Sequence, residues 1–322
     1  MKHLFDDHTH KFDAISLQDL NLQAALLDRQ ESKYVLTPER FFEIVPDLTR
    51  SFRILEIGEL RIFNYKSFYF DSDNLIGYTY HNQERIKRRF KIRSRHYVDS
   101  DLCFFEIKLK SKRGGTIKRR IDCPLNDYGI ITDRARHFIE TTYQQVYGLR
   151  FEHELKPKLE VNYDRITLVA KDSSERMTID FNLHFSRQGK TSSIKFFVIV
   201  ETKSARLGGI ADSIFKQQSI RSGNFSKYCL GVNLFFNKVK YNRFKPLLKM
   251  YENLPVYQAV NEVEISITNA SDPIKVRITR KQNEGVNKRP RREVDKTNRT
   301  LGLQLESEKL RAHRMRRRVA LL

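Results

Sequence analysis

Polar and apolar residues alternate with a period of two through several segments of the chain, a pattern that predicts half-buried β-strands. In the segment 89–97, one face of the predicted strand carries basic residues and a tyrosine, namely Arg89, Lys91, Arg93, Arg95 and Tyr97. The segments 104–110 and 116–122 continue the pattern, with Glu106, Lys108 and Lys118 on their polar faces. A glycine-containing turn at 112–115 would join these two strands into a hairpin.

A second group of strands repeats this design later in the chain. The polar faces of the segments 165–169, 176–185 and 195–203 carry Arg165, Arg176, Asp180, Asn182, His184, Glu201 and Lys203. Near the N-terminus, Glu31 and Lys33 stand two residues apart in the same way. The spacing Glu-x-Lys thus recurs at Glu31, Glu106 and Glu201, and on a strand it puts a carboxylate beside an ammonium group on one face.

Helical periodicity flanks and separates the strands. Predicted helices begin after Ser16, at Pro38 and after Thr132, and two more lie at 210–218 and 244–251. The helix at Pro38 should run to about Val45, and Gly148 should end the helix that divides the two strand groups. The sequence therefore predicts an α+β fold with an antiparallel sheet and flanking helices.

Alternation has an ordinary explanation, which is an antiparallel sheet with its apolar face on the core and its charged face in water. Two features weaken that explanation here: the polar faces are mostly Arg and Lys, and Glu-x-Lys recurs on three strands. A sheet with this many strands tends to curl or to close into a barrel. A closed antiparallel β-barrel with the charged face inward would need a wet lumen and a polyanionic ligand, because unpaired buried cations are strongly unfavourable.

The composition agrees with a polyanionic partner without specifying it. The 322 residues include 60 Lys and Arg against 39 Asp and Glu, a net charge of +21, and 39% are hydrophobic, which is enough for a sizeable core. Residues 271–322 hold 16 Lys and Arg against 6 Asp and Glu, so we predict a folded domain at 1–265 and a basic, loosely ordered tail at 266–322. The tail could bind nucleic acid, polyphosphate or anionic lipid, or be a solvated appendage.

Other features bear on the compartment. No apolar run is long enough to span a bilayer, and the N-terminus lacks the pattern of a signal peptide. Cys103, Cys123 and Cys229 have no metal or redox spacing, which suits a reducing cytoplasm. We therefore expect a cytoplasmic protein, for which any membrane-bound or regulatory partner would be a separate chain.

Short motifs between Glu31 and Leu234 form a specific pattern through their order and spacing. They are E-x-K-Y at 31–34, K-x-R-x-R-x-Y at 91–97, F-E-x-K at 105–108, I-K-R at 117–119, Y-x-R at 163–165, R-x-x-x-D at 176–180, E-x-K at 201–203 and F-S-K-Y at 225–228. This pattern resembles the VTC-type polyphosphate polymerase domain of the triphosphate tunnel metalloenzyme superfamily. The resemblance implies a β-barrel tunnel that binds ATP with Mn²⁺ or Mg²⁺ and extends a polyphosphate chain.

The resemblance also implies roles for particular residues. The implied phosphate ligands are Lys33, Arg93, Arg95, Lys108, Lys118, Arg165, Arg176, Lys203 and Lys227. Catalytic roles are implied for Arg93, Arg95, Lys108 and Glu201, and metal binding for Glu201, with Glu106 and Asp180 as weaker metal candidates. Asn224 stands where the family has a second basic residue, three positions before Lys227, and this departure would remove one phosphate contact.

Three functions remain open on the sequence. The chain could be a polyphosphate-forming phosphotransferase, a hydrolase of triphosphate or RNA 5′-triphosphate in the same tunnel, or a non-catalytic polyphosphate-binding module. Hydrolysis would depend more on a base that activates water. His8 and His10 are more typical of a flexible polar terminus than of a metal site, and His184 could face the lumen.

Overall fold

The structure is a computed structural model of the chain. It describes residues 2–23, 30–82, 88–111, 115–194, 196–205, 208–236, 239, 266–269 and 272–275. The predicted helix at 244–251, the turn residues 112–114 and most of the predicted tail lie outside these residues. None of the helices in the described ranges is long and apolar enough to cross a bilayer.

The elements follow in this order. The helices are α1 (Lys2–Thr9), α2 (Leu17–Gln23), α3 (Pro38–Ser51), α4 (Ile76–Asn82), α5 (Asp133–Tyr147), α6 (Ile210–Gln217) and α7 (Lys227–Phe235). The strands are β1 (Ala14–Ile15), β2 (Gln30–Leu36), β3 (Phe52–Leu55), β4 (Phe63–Asp71), β5 (Phe90–Tyr97), β6 (Leu102–Lys110), β7 (Thr116–Asp122), β8 (Lys156–Ala170), β9 (Glu175–Arg187), β10 (Lys190–Ile194), β11 (Val198–Ser204), β12 (Ser266–Asn269) and β13 (Asp272–Lys275). These elements confirm the predicted α+β class.

One mainly antiparallel sheet contains most of the strands, in the order β2-β11-β9-β8-β4-β5-β6-β7. β3 pairs with β8 and with the short parallel strand β1, and β10 pairs with β9. In the described ranges, no backbone pairing joins the edge strands β2 and β7, so the sheet is strongly curled and the closed barrel that the sequence predicts is not confirmed. Separately, β12 and β13 pair with each other within the predicted tail.

The curl brings strands together that are distant in the sheet. β6 and β11 are five steps apart in the strand order, which would be about 24 Å in a flat sheet with about 4.8 Å per step. Burial lowers the pKa of Lys108 on β6, and the charge of Glu201 on β11 opposes that fall. The charged face therefore turns inward. We call it the inner face and define it by Lys33, Arg93, Lys108, Asp180 and Glu201.

Apolar clusters with helices cover the outer face. Phe5 of α1 stacks on Phe181 of β9 with ring centroids 3.8 Å apart, and Phe215 of α6 joins the same cluster. Ile139 of α5 packs with Ile107 of β6 in a second cluster. Because α1 is anchored by the fully buried Phe5, the prediction of a flexible N-terminus is wrong.

The helix caps follow the sequence signals. The Thr132 Oγ1 atom accepts a hydrogen bond from the backbone N–H of Ala135 at 3.2 Å, and Gly148 ends α5 in the left-handed region with φ of 70°. α3 also starts as predicted, but it continues through Pro46 to Ser51. Its apolar face explains the extra length, since Leu48 beyond the proline is fully buried.

A bulge in β9 changes which side chains face inward. The pairing with β8 shifts between Asn162 and Asp164, and Asn182 has φ of 51°. Beyond the bulge, Phe185 pairs with Val161 on the inner side, whereas His184 is exposed. The prediction that His184 faces the lumen is wrong, because the extra residue moves it to the other face.

α7 packs against the inner side of β8 and β9 beside this bulge. A Cβ atom at Gly231 would lie 2.8 Å from Phe185 Cδ1 and closer still to Leu159 Cδ2, so glycine permits the close approach. The Tyr228 hydroxyl donates to the buried Asp71 carboxylate, which also caps α4. These contacts fix the start of α7, and with it Lys227, on the inner face.

Candidate functional site

Three inner-face carboxylates each lie between two basic side chains. The first is Glu106, whose Oε2 atom accepts from Arg93 Nε at 2.7 Å and from Arg93 Nη2 at 2.5 Å, while Lys118 pairs with Oε1. Arg93 and Glu106 are direct partners in the β5–β6 register. Burial would raise the pKa of Glu106, but Arg93, Arg95 and Lys118 together hold it well below its usual value. Glu106 is therefore an ionised carboxylate.

Asp180 is the second of these carboxylates. Arg165 donates from Nε to Oδ1 at 2.5 Å and from Nη2 to Oδ2 at 2.8 Å, and Lys227 pairs with Oδ2. Burial acts to raise the pKa of Asp180, yet Arg165 and Lys227 lower it. The β8–β9 register supplies the arginine, and α7 supplies the lysine. Three separate sequence motifs therefore meet at one carboxylate.

Glu201 is the third. Lys203 Nζ lies 2.6 Å from its Oε1 atom, and Lys33 Nζ lies 3.9 Å from Oε2 while also pairing with Glu31. Burial would raise the pKa of Glu201, but Lys203 and Lys33 hold it well below its usual value. Glu201 is 20% exposed, against 1% for Glu106 and 2% for Asp180, so it is the most accessible of the three.

Other inner-face cations have no carboxylate partner in the described part of the chain. Arg95 is buried, and among the described residues it donates only to neutral groups, from Nε to Ser67 Oγ at 3.2 Å and from Nη2 to the Tyr163 hydroxyl at 2.8 Å. Lys91 and Lys108 are partners in the β5–β6 register, and neither makes an ion pair within 4.0 Å of another described residue. These three side chains leave the inner face with cationic groups that a polyanion could satisfy.

The remaining predicted ligands also lie at defined places. Arg176 is on the inner side of β9, opposite Lys203 in the β9–β11 register. Asn224 is exposed in the loop before α7, three residues from Lys227. All of the predicted phosphate ligands are thus on the inner face or at the start of α7, whereas Asn224 is at the surface.

Sequence reasoning missed the contribution of β4. Tyr69 accepts a hydrogen bond from Arg93 Nη1 at 3.1 Å, and Ser67 and Tyr65 line the inner face beside Arg95. Lys91 belonged to a recognised motif but was not among the predicted ligands. The strand register connects both to the predicted ligands, because β4 pairs with β5 at Tyr69 and Arg93 and at Ser67 and Arg95, and Lys91 pairs with Lys108 on β6.

The lysines predict a pH dependence of anion binding. Burial lowers the pKa of Lys108 to about 7, so this side chain loses its proton near neutrality in the ligand-free protein. Tripolyphosphate affinity should therefore fall as pH rises from 6 to 9, and it should fall about tenfold less in Lys108→Arg, because arginine stays protonated. Calorimetric titration of both proteins checks this. Since titration of the ligand is common to both, equal pH slopes would contradict the role of Lys108.

The predicted metal carboxylates are not brought together. Glu106, Asp180 and Glu201 belong to separate ion-pair groups, and no three His, Cys, Asp or Glu side chains within the described ranges cluster as a metal site. Such an arrangement does not suit a metal held by protein alone. It does suit a cation that arrives with phosphate oxygens and needs one or two carboxylates, as Mg²⁺ often does.

Comparisons with known proteins identify related chains. The family model for the VTC domain matches residues 28–236, a range that includes every candidate residue from Lys33 to Lys227. No curated protein sequence matches the chain. A Bacillus halodurans structure described as a candidate adenylate cyclase is 14% identical, with a TM-score of 0.38, and the match covers 65% of this chain and 99% of that one. A Hippeastrum protein described as a candidate adenylyl cyclase with a dominant triphosphatase activity is 12% identical, with a TM-score of 0.39, and the match covers 62% and 93%.

Proposed function

Because this chain belongs to the VTC domain family, we propose that it is an ATP-dependent polyphosphate polymerase. In the proposed reaction, a terminal oxygen of a polyphosphate chain attacks the γ-phosphorus of ATP. One P–O bond forms, the bond to the β-phosphate oxygen breaks, and ADP leaves with that electron pair. The chain becomes longer by one phosphate.

The observation that carries this proposal is the set of inner-face cations without carboxylate partners. Lys91, Arg95 and Lys108 converge on the same concave surface, and burial lowers the pKa of Lys108 to about 7. Cations that are buried without a counter-ion are unfavourable, so a phosphate chain that pairs with them would gain binding free energy. Phosphates repeated along a chain match cations repeated along neighbouring strands.

The remaining groups suit phosphoryl transfer, which depends mainly on positioning and charge neutralisation. The guanidinium groups of Arg93 and Arg95 can bind phosphate oxygens through paired N–H donors. The pKa values of Glu106, Asp180 and Glu201 are all lowered by their basic partners, so these carboxylates are poor bases for activating water. A phosphate acceptor is already ionised and needs no such base, which favours polymerase over hydrolase.

A divalent cation, Mn²⁺ or Mg²⁺, would enter with the substrate. Glu201 is the residue most suited to hold it, because its carboxylate is the most accessible of the three. When bound, the cation would neutralise charge on the ATP phosphates. Lys203, which pairs with Glu201 in the absence of the cation, would then be free to contact phosphate oxygens, and Lys33 would keep only its pair with Glu31.

Incubation of the pure protein with ATP and Mn²⁺ or Mg²⁺ tests the proposal. Polyphosphate that migrates as a long polymer on a gel, formed with stoichiometric release of ADP, is the expected product. Free phosphate without polymer would instead indicate a triphosphatase. Tight polyphosphate binding without turnover would indicate a binding module, and either of these results would overturn the proposal.

Replacement of Glu201 tests the metal role separately. We expect Glu201→Gln to raise the Mn²⁺ concentration for half-maximal synthesis by about tenfold or more, without weakening metal-free binding of tripolyphosphate, because the variant removes a negative charge from the inner face. Steady-state rates across a Mn²⁺ series and calorimetry measure the two effects. Glu56→Gln is a matched control, since Glu56 pairs with Arg61 beside the end of α1. An unchanged metal requirement in Glu201→Gln would refute the role.

A further inference from the structure

Aromatic side chains form a continuous row across four neighbouring strands on the inner face. The row runs from Phe104 on β6 through Tyr97 on β5 and Tyr65 on β4 to Tyr163 on β8. Successive ring centroids are 5.8, 4.9 and 5.5 Å apart. We call these four side chains the aromatic row.

Guanidinium groups lie over the rings of this row. The Cζ atom of Arg120 on β7 is 4.2 Å from the centroid of Phe104, and Arg95 and Arg165 lie 5.5 and 5.0 Å from the centroid of Tyr65. Arg120 is exposed, and it makes no ion pair with another residue that the structure describes. Ring faces and guanidinium planes are the surfaces on which nucleic-acid bases stack.

Three of the four side chains in the row differ in exposure from the aromatic residues of the core, whereas Tyr163 is 1% exposed and belongs to the core. Tyr65, Tyr97 and Phe104 are partly exposed, whereas Phe105, the neighbour of Phe104 on the outer face, is 2% exposed. Cross-strand aromatic pairs can simply stabilise a sheet. A purely structural row, however, gains more from full burial than from partial exposure at the edge of a charged surface.

The position of the row relates it to the phosphate-binding cations. Tyr97 follows Arg95 by two residues on the same face of β5, a separation of about 7 Å along a strand. The opposite end of the inner face is filled by α7, where Gly231 packs against Leu159. Because α7 packs on Leu159 at that end, the nucleoside of a triphosphate bound at Arg93 and Arg95 would extend towards the aromatic row.

We propose that Tyr65, Tyr97, Phe104 and Arg120 form a subsite for the nucleoside of a nucleoside triphosphate, in which the base stacks on the rings. This inference rests on the proposed function, because it requires a triphosphate bound at Arg93 and Arg95. Stacking is tolerant of base identity. The subsite should distinguish a nucleoside triphosphate, which has a base to stack, from tripolyphosphate, which has none. The affinity for GTP should be within a few fold of the affinity for ATP.

Calorimetric titration with two probes tests the subsite. The probes are tripolyphosphate and the ATP analogue with an imido group between its β- and γ-phosphates, both in metal-free buffer with the full chain. We expect Phe104→Leu, which keeps apolar bulk but removes the ring face, to lower the affinity for the analogue about tenfold. Its affinity for tripolyphosphate should stay within about twofold, because no phosphate contact is removed.

Phe68→Leu is the matched control, since Phe68 is a partly exposed phenylalanine on the outer face of β4, and both of its affinities should be unchanged. Arg120→Gln provides a second variant at an exposed position, and we expect it to lower the ratio of analogue affinity to tripolyphosphate affinity. A wild type that binds both probes equally, or variants that leave this ratio unchanged, would overturn the subsite alone. A wild type that binds neither probe would overturn the proposed function and the subsite with it.

Discussion

Replacing Lys108 with methionine is expected to reduce polyphosphate synthesis by about 100-fold or more while making the ligand-free protein more stable. The loss of activity follows from removing one preorganised positive charge from the reacting phosphates, an effect of this size in other charge-stabilised reactions. Lys108 has no carboxylate partner in the described ranges, so its removal leaves no carboxylate there without a counter-ion.

The gain in stability has a defined sign and pH dependence. Burial lowers the pKa of Lys108 from 10.5 in the unfolded chain to about 7 in the folded protein. Below pH 7 the lysine is charged in both states, and the folded state bears the full cost of burying the charge. Between pH 7 and 10.5 the unfolded state binds more protons, so this cost declines as pH rises. The stabilisation by methionine should therefore be greatest below pH 7, at about 1–4 kcal/mol, and should diminish towards pH 10.

Chemical denaturation at pH 6 and pH 9 measures the stability, and the synthesis assay measures the activity. Lys66→Met is the matched control, because Lys66 is a partly exposed lysine on the outer face of β4, and we expect full activity and a change in unfolding free energy below about 0.5 kcal/mol. Activity of Lys108→Met within threefold of wild type would exclude Lys108 from the phosphate site.

The same lysine illustrates what the sequence can predict. Period-two alternation identified β5, β6 and β7, and it placed Arg93, Lys108 and Lys118 on a common face, because each of these strands has one apolar side packed on a helix-covered core. The alternating pattern does not reveal which charged side chains on that face form ion pairs with each other. Lys108 and Lys118 belong to adjacent strands with the same pattern, yet Lys118 pairs with Glu106 and Lys108 pairs with no described carboxylate. That difference depends on how the side chains are placed across the β6–β7 register, which the sequence pattern does not specify.

Two features escaped prediction because their sequences do not alternate regularly. β4 carries aromatic residues on both faces, with Tyr69 and Tyr65 inside and Phe68 outside, so it shows no clear polar side. The bulge at Asn182 cannot be seen in the pattern because the alternation there looks regular. Phe181 and Phe185 are four residues apart, as two residues on one face would be, although they face opposite sides of the sheet. An asparagine within a strand is the one local signal, because asparagine tolerates a positive φ.

The closed barrel was predicted from strand number and charge, and neither quantity determines whether the edge strands meet. β2 and β7 lie at opposite ends of the strand order. The turn residues 112–114 next to β7 lie outside the described residues, as do residues 24–29 before β2. The curl of the sheet has an electrostatic effect, because it brings the cations of β5 and β6 towards the carboxylate of β11. This proximity, and not closure of the barrel, supports the proposed function.

Replacing Asp180 with asparagine should have the largest effect on stability. Asp180 is 2% exposed, and its carboxylate accepts two hydrogen bonds from Arg165 and pairs with Lys227. Neutralising it leaves two cations without a counter-ion, and we expect unfolding to become easier by about 3–5 kcal/mol at pH 7. The folded-state pKa of Asp180 is lowered, so its contribution is present above its unfolded pKa near 3.8 and is lost as pH falls through the folded pKa.

A polyanion should reverse much of this loss. Because the neutral amide in Asp180→Asn would no longer compete for Arg165 and Lys227, the variant should bind tripolyphosphate more tightly than wild type, and saturating ligand at about 100 times the Kd should return about 2.7 kcal/mol. Asp73→Asn is the matched control, since Asp73 also lies between two lysines, Lys156 and Lys158, but is 62% exposed, and we expect it to lose less than about 1 kcal/mol. Denaturation with and without tripolyphosphate measures both effects. If the ligand stabilises Asp180→Asn less than wild type, Arg165 and Lys227 are structural counter-ions of Asp180 and not phosphate ligands.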